Sequence, residues 1–135
     1  MSGIIGGAGS KSGVIGETEL DYEEGTWTPT GTNVTGYSGS RYTKLGKCVI
    51  CHYYYETTGT ASTPLGGLPF TASTESSGSM SGSGTCGSQN KTANVVWVNS
   101  VLEGTTTWKH TLGSGGNQSH GTSQENFGNL IYYVD

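Results

Sequence analysis

Apolar and polar residues alternate in several short stretches of this chain, and the alternation predicts β-strands. The clearest stretch runs from Cys48 to Thr57. Successive residues of a strand point to opposite faces, so a period of two sorts this stretch into two sets. One face carries Val49, Cys51, Tyr53 and Tyr55, and the other carries Cys48, Ile50, His52 and Tyr54. Because both sets are largely apolar, we predict a strand at the centre of a sheet.

Other short stretches extend this prediction along the chain. Strands are predicted over about 94–99, 105–112 and 130–134, with Gly104 between the first two, and a shorter strand starts at Thr26 and stops at Pro29. The Ser- and Gly-rich stretches 73–90 and 113–126 are predicted to be polar loops. No stretch keeps a helical period over a useful length. The pattern therefore predicts an all-β fold, with a single domain of the β-sandwich or jelly-roll type.

The first sixteen residues follow a different pattern, in which two apolar pairs stand between glycines. Ser2–Gly6 and Ser12–Gly16 are near-copies of each other. Glycine costs about 1 kcal/mol relative to alanine inside a helix, so this stretch is unlike a helix and cannot build a core. We expect an extended arm that docks onto a partner, and the alternative is an unattached tail. The docking residues of the arm would be Ile4, Ile5, Val14 and Ile15.

A cluster of acidic residues separates this arm from the rest. Glu17, Glu19, Asp21, Glu23 and Glu24 are half of the ten acidic residues. We therefore divide the chain into a docking arm with an acidic hinge at 1–25 and a β-sandwich domain at 26–135.

Composition and charge narrow the function. Only 31% of the 135 residues are hydrophobic, so the core must lean on the eight tyrosines and three tryptophans. Six basic against ten acidic residues give a net charge of −4, which argues against a nucleic-acid binder because phosphate neutralisation needs a basic surface. No stretch resembles a signal peptide or a bilayer span, so we expect a soluble protein without membrane insertion.

The phrase Cys48-Val49-Ile50-Cys51-His52 matches the C-x-x-C-H pattern of c-type haem attachment. His110, His120 or Met80 would be the second axial ligand. The two thiols, however, point to opposite faces of the predicted strand, where they cannot easily reach one haem edge. A zinc site would use Cys48, Cys51, His52 and Cys86, but it lacks a second paired half and places Cys86 in a predicted loop. We expect reduced, structural cysteines and no metal or cofactor.

Candidate chemistry elsewhere favours binding over catalysis. The acidic residues cluster in the hinge, and neither His110 nor His120 stands in a recognisable nucleophile frame, so we expect no enzyme. Trp97 and Trp108 lie on predicted strands and are expected in the core. The loops instead combine adaptable polar residues with aromatic anchors, a combination suited to recognition. The expected receptor-facing residues are Tyr37, Tyr42, Asn117, Gln118 and His120.

Three phrases, in this order along the chain, carry a resemblance to a known group of proteins. They are LDYEEGTWTP at 20–29, YTKLG at 42–46 and LPF at 68–70. The pattern resembles small β-sandwich domains in tail-fibre and other virion surface proteins of tailed bacteriophages, especially marine ones. The resemblance implies a structural role on the virion surface for a protein made in the host cytoplasm.

Three roles follow from this resemblance and from the arm. The first is a tail-fibre component for host attachment, self-associating as a homotrimer, bound to other virion proteins through its arm and to a host cell-surface glycan or protein through its loops. The alternative is a capsid decoration protein whose arm clamps neighbouring shell subunits. A further alternative is an extracellular filament subunit whose arm inserts into the next copy.

Overall fold

Eight antiparallel strands form a single sheet in the computed structural model, which describes residues 21–61, 64–74, 80–89, 97–111 and 123–135. The strands are β1 Tyr22–Trp27, β2 Val34–Gly36, β3 Ser40–Leu45, β4 Cys48–Thr57, β5 Met80–Gln89, β6 Trp97–Leu102, β7 Trp108–Thr111 and β8 Glu125–Tyr133. Their order in the sheet is β1-β3-β4-β8-β5-β6-β7, and β2 pairs with the end of β4 that extends beyond β3. The prediction of an all-β fold is confirmed. No helix among these residues is long and apolar enough to cross a membrane.

The sheet curls until its two edges meet. Trp27 on β1 and Trp108 on β7 belong to opposite ends of the strand order, yet their ring centroids are 5.4 Å apart. A short segment closes the gap between the edges. The Leu65 backbone exchanges hydrogen bonds of 2.7 and 2.8 Å with Trp108, and the next residue, Gly66, exchanges bonds of 3.0 and 2.8 Å with Thr30 just after β1. Backbone groups at both edges thereby find partners that an open edge would lack.

The concave side of the curled sheet holds an aromatic core. Trp97 and Trp108 are buried there, as the sequence predicts. The Tyr53 ring packs against the rings of both Trp27 and Trp108, at centroid distances of 6.4 and 5.7 Å. Large aromatic side chains bury much apolar area per residue, so a chain poor in aliphatic residues can still fill its interior. The other members include Tyr55, Leu65, Leu130 and Tyr132.

Two tyrosine hydroxyls inside this core are paired with polar side chains. The Tyr55 hydroxyl and His110 Nε2 lie 2.8 Å apart, and Asn99 Nδ2 donates to the Tyr53 hydroxyl at 2.8 Å. Buried polar groups cost free energy unless they are hydrogen-bonded. These pairs let tyrosine supply core volume without leaving its hydroxyl unsatisfied.

Strand β4 has the predicted bounds and the predicted central place, between β3 and β8. The two faces of β4 differ in burial, although both carry apolar residues. Val49, Cys51, Tyr53 and Tyr55 are buried, whereas His52 on the other face is exposed. Because the sheet curls around its own core, the described residues supply a covering layer only on the concave side. The convex side, called the outer face below, has no such layer among these residues.

The loop predicted over 73–90 is wrong in its second half. Residues 80–89 form β5, which lies between β8 and β6 near the middle of the sheet. Its glycines mark close approach of backbones. A Cβ added to Gly84 would lie 1.9 Å from the carbonyl oxygen of Asn129, and one added to Gly82 would lie 2.4 Å from that of Ile131.

Other boundaries differ by a few residues. Strand β1 begins at Tyr22, so Glu23 and Glu24 pair with β3 and belong to the sheet. Strand β8 begins earlier than the predicted 130–134 because Glu125 and Asn126 pair with both β4 and β5. The predicted turn at Gly104 is present, with a φ of +66°.

Replacing Gly84 by alanine should destabilise the protein by about 1–3 kcal/mol, the usual cost of forcing an extra group into a packed interior. The added methyl would collide with the Asn129 carbonyl on the neighbouring strand. Gly39→Ala is the matched control, because a Cβ there meets nothing within 4 Å. Urea denaturation of both variants measures the difference. Equal stability of the two variants would contradict the close approach of β5 and β8.

Candidate functional site

A groove on the outer face lies where three strands and a turn meet. Its volume is about 370 Å³, and apolar surface forms most of its wall. Arg41 comes from β3, His52 and Tyr54 come from β4, and Tyr37 comes from the turn between β2 and β3. The groove is also lined by Gly39, Ser40 and Tyr53.

The turn that carries Tyr37 is fastened to β4 by backbone and hydroxyl contacts. The Tyr37 amide donates to the Tyr54 carbonyl at 3.2 Å. Buried Ser40 ties the turn together, since its hydroxyl donates to the Tyr37 carbonyl at 3.0 Å and accepts from the Tyr54 amide at 3.2 Å. The Tyr37 ring meets the Tyr54 ring edge to face, with centroids 4.5 Å apart. These contacts therefore hold the Tyr37 ring in place, although 47% of the residue is exposed.

A pair of carboxylates lies just beyond the tyrosine end of the groove, where it lines a neighbouring cavity. Glu56 and Glu125 stand directly opposite each other on β4 and β8. Like charges in this position repel, and phenol donors offset the repulsion. The Tyr37 hydroxyl donates to Glu56 Oε1 at 3.1 Å, and the Tyr54 hydroxyl donates to the same atom at 3.4 Å.

These contacts keep both phenols protonated. The hydrogen bond to Glu56 and the charge of that carboxylate raise the pKa of Tyr37. Burial, followed by the charge of Glu125, raises the pKa of Tyr54 to about 12. At neutral pH both tyrosines are uncharged, and their hydroxyls donate to Glu56.

The other end of the groove carries positive charge. Arg41 is the single arginine of the chain and is exposed. Its guanidinium makes no ion pair within the part of the chain that the structure describes. His52 is paired with Arg41 in the strand register and is also exposed. From the core side, the Trp27 indole donates to both backbone carbonyls, at 3.3 and 3.2 Å, and so fixes these two residues side by side.

The predicted receptor-facing residues have different places. Tyr37 lies in the groove. Tyr42 does not, because its ring packs against Phe70 at 5.3 Å on the core side and its hydroxyl donates to Glu23 at 2.6 Å. The loop residues Asn117, Gln118 and His120, like the arm residues Ile4, Ile5, Val14 and Ile15, fall outside the described residues.

The residues of the C-x-x-C-H phrase do not come together. Cys51 is buried in the core, whereas half-buried Cys48 and exposed His52 lie on the outer face. Cys86 is also buried, in β5, so its predicted place in a loop is wrong. No group of three or more His, Cys, Asp or Glu residues among the described positions is arranged to hold a metal ion. The separation follows from the period of two, which puts residues three apart on opposite faces of a strand.

The sequence does not predict Arg41, His52 or Tyr54 as receptor-facing residues, and it offers His52 only as a candidate haem or zinc ligand. The alternation along β4 does place His52 and Tyr54 on one face, which is the signal that could have found them. Arg41 carries no such signal, because its neighbourhood depends on how β3 pairs with β4.

Cys48 should react with a thiol reagent in the folded protein, whereas Cys51 and Cys86 should not. Burial raises the pKa of Cys51 to about 12, so this thiol stays protonated at pH 8. Titration with Ellman's reagent, before and after unfolding, counts the reactive thiols. Cys48→Ser is the control and should remove the fast reaction. A fast reaction that persists in this variant would contradict the placement of the other two cysteines.

The groove thus joins two aromatic rings, an imidazole and a guanidinium that has no ion-pair partner among the described residues. The Glu56 carboxylate lies just beyond the tyrosine end. Such a mixture of apolar wall and few polar groups is typical of ligand sites. Comparison with protein-family models, with curated proteins and with solved structures finds no match to this chain.

Proposed function

We propose that the protein is a structural surface protein of a tailed bacteriophage virion, acting in host attachment as a tail-fibre component and not as an enzyme. In this proposal the sheet is a jelly-roll-like β-sandwich domain, and the Gly-rich arm that precedes β1 anchors it to other virion proteins. The observation that carries the proposal is the outer groove, where Tyr37 is an exposed aromatic ring on a rigid support. Rigid aromatic anchors are typical of recognition surfaces.

The phrases that resemble phage virion proteins also meet in space, which supports the proposal. The phrase at 20–29 contains β1, and β1 pairs with β3, which contains most of the phrase at 42–46. Phe70 of the third phrase packs on the Tyr42 ring, and Lys44 Nζ lies 5.9 Å from the centroid of the Phe70 ring. The three phrases therefore describe one packed corner of the sheet.

Self-association as a homotrimer is supported by an apolar patch at one end of the outer face. Tyr22, Leu45, Cys48 and Tyr133 form a row across β1, β3, β4 and β8, and Ile131 lies in the next row. Tyr133 is 58% exposed and Ile131 is 46% exposed. Contiguous apolar surface of this kind is typical of protein contacts. We propose that copies of this chain bind one another here.

The patch and the groove are separate enough to work at the same time. Along β4, His52 of the groove row lies four positions after Cys48 of the patch row, or about 13 Å at the rise of a strand. The arm joins the sheet at the patch end, where the Gly46 amide donates to the Asp21 carbonyl. Assembly through that end would leave the groove facing outward.

Because the arm joins the sheet at the patch end, a second candidate function is also favoured, that of a capsid decoration protein. A shell of repeated subunits would bind the arm and the patch together. In that role the groove would face away from the shell.

Immunogold electron microscopy of the intact particle tests the proposal. Antibody against the chain should label the tail, and a particle carrying a chain without residues 1–16 should lose the label. The shortened chain should remain folded, as monitored by its circular dichroism, because the described sheet begins only at Tyr22. Label over the head would favour decoration, and a particle without label would contradict both roles.

Replacing Ile131 and Tyr133 together by serine should shift the protein from trimer to monomer. These side chains are exposed, so the change removes apolar contact area between copies while leaving the core intact. Size-exclusion chromatography with light scattering measures the mass. Val98→Ser is the control, since Val98 is an exposed residue of β6 outside the patch. A trimer of unchanged strength in the double variant would contradict the proposed contact.

A further inference from the structure

We infer that the outer groove binds an acidic sugar, with the sugar carboxylate at Arg41 and His52 and the sugar ring against Tyr37. This inference rests on the proposed attachment function and names its ligand class. It is drawn from the distribution of charge and aromatic surface along the groove.

The positive end of the groove selects for an anion. The guanidinium of Arg41 is a planar fork that binds a carboxylate through two parallel hydrogen bonds. Arg41 is the only arginine in a chain of net charge −4. It lies in the groove and has no carboxylate partner among the described residues. Lys44, by contrast, is paired with Asp21. Arg41 is therefore available to an external carboxylate.

The middle of the groove selects for a ring with an apolar face. The Tyr37 and Tyr54 rings are held at right angles, with an interplanar angle of 87°. This leaves the Tyr37 ring partly open to solvent while Tyr54 forms the floor. A pyranose presents C–H groups on one face and hydroxyls at its edge, and an aromatic wall with few polar groups suits this combination.

A carboxylate just beyond the tyrosine end of the groove, that of Glu56, gives the ligand a direction. Glu56 lies four residues beyond His52 on β4, about 13 Å along the strand. Its carboxylate accepts hydrogen bonds, so it attracts sugar hydroxyls and repels a second carboxylate. The acidic sugar therefore lies with its carboxylate toward Arg41 and with its uncharged hydroxyls toward Glu56. A run of phosphates, as in a nucleic acid, would meet Glu56 and Glu125 and be repelled.

Calorimetric titration of the full chain tests the ligand class with matched probes. The methyl glycoside of galacturonic acid is compared with its methyl ester, and the methyl glycoside of N-acetylneuraminic acid is compared with its methyl ester, so that each pair differs only in one carboxylate. At least one acidic probe should bind more tightly than its neutral partner by about tenfold or more, the usual worth of a hydrogen-bonded pair with a charged group. The pair that shows the difference distinguishes a uronic acid from a sialic acid.

Variants locate the binding in the groove. Arg41→Gln should weaken binding of the acidic probe by about tenfold or more and leave the neutral probe unchanged. Lys47→Gln removes the same charge from an exposed residue outside the groove and is the control. Tyr37→Ala should weaken the acidic probe, whereas Tyr37→Phe, which keeps the ring, should retain binding.

Any of three results would overturn the inference. They are equal affinity within both probe pairs, no binding of either acidic probe at millimolar concentration, and unchanged binding of the acidic probe by the Arg41→Gln variant. A second measurement is the adsorption to host cells of particles that carry Arg41→Gln or Tyr37→Ala. It separates failure of the proposed ligand class from failure of the attachment function. Lost adsorption without acidic-sugar binding would retain attachment and reject the ligand class. Normal adsorption of both variants would reject the groove as the attachment site.

Discussion

The contact between the two edges of the sheet is the constraint on which the rest of the structure depends. Leu65 and Gly66 join β7 to the chain after β1, and the Trp27 and Trp108 rings meet beneath that junction. With few aliphatic residues, the chain cannot support a broad flat layer. It gains burial by curling one sheet around large rings, because each ring removes much apolar surface from water. The edge contact keeps the curl closed and removes exposed backbone groups at the same time.

The closed curl explains why the outer face carries the proposed binding functions. Strand side chains alternate between the two sides, so every core residue has a neighbour that points outward. The inward residues of β4 are fixed by packing, and His52 and Tyr54 between them are therefore held on a rigid support. Trp27 serves both sides, because its ring lies in the core while its indole nitrogen binds the backbone beneath the groove. The site depends on the core for its geometry.

Glycine explains the main difference between the predicted and the observed fold. A Ser- and Gly-rich stretch is compatible with a loop and also with a strand that lies very close to its neighbours. In β5 the second case holds, since Gly82 and Gly84 lie against backbone oxygens of β8. Local composition cannot distinguish the two, because the atoms that exclude a side chain come from residues more than forty positions away in the sequence. Cys86 was placed in a loop for the same reason.

The sequence by itself determined the all-β class, the bounds of β4, the burial of Trp97 and Trp108, and the separation of Cys48 from Cys51. These features follow from a period of two, which is a local property of the chain. Only the tertiary structure decided which residues form the groove. Arg41 meets His52 because of the β3–β4 register, and Tyr37 meets Tyr54 because β2 pairs beyond the end of β3. Register is set by packing of the whole sheet around its core, so no single stretch of sequence contains it.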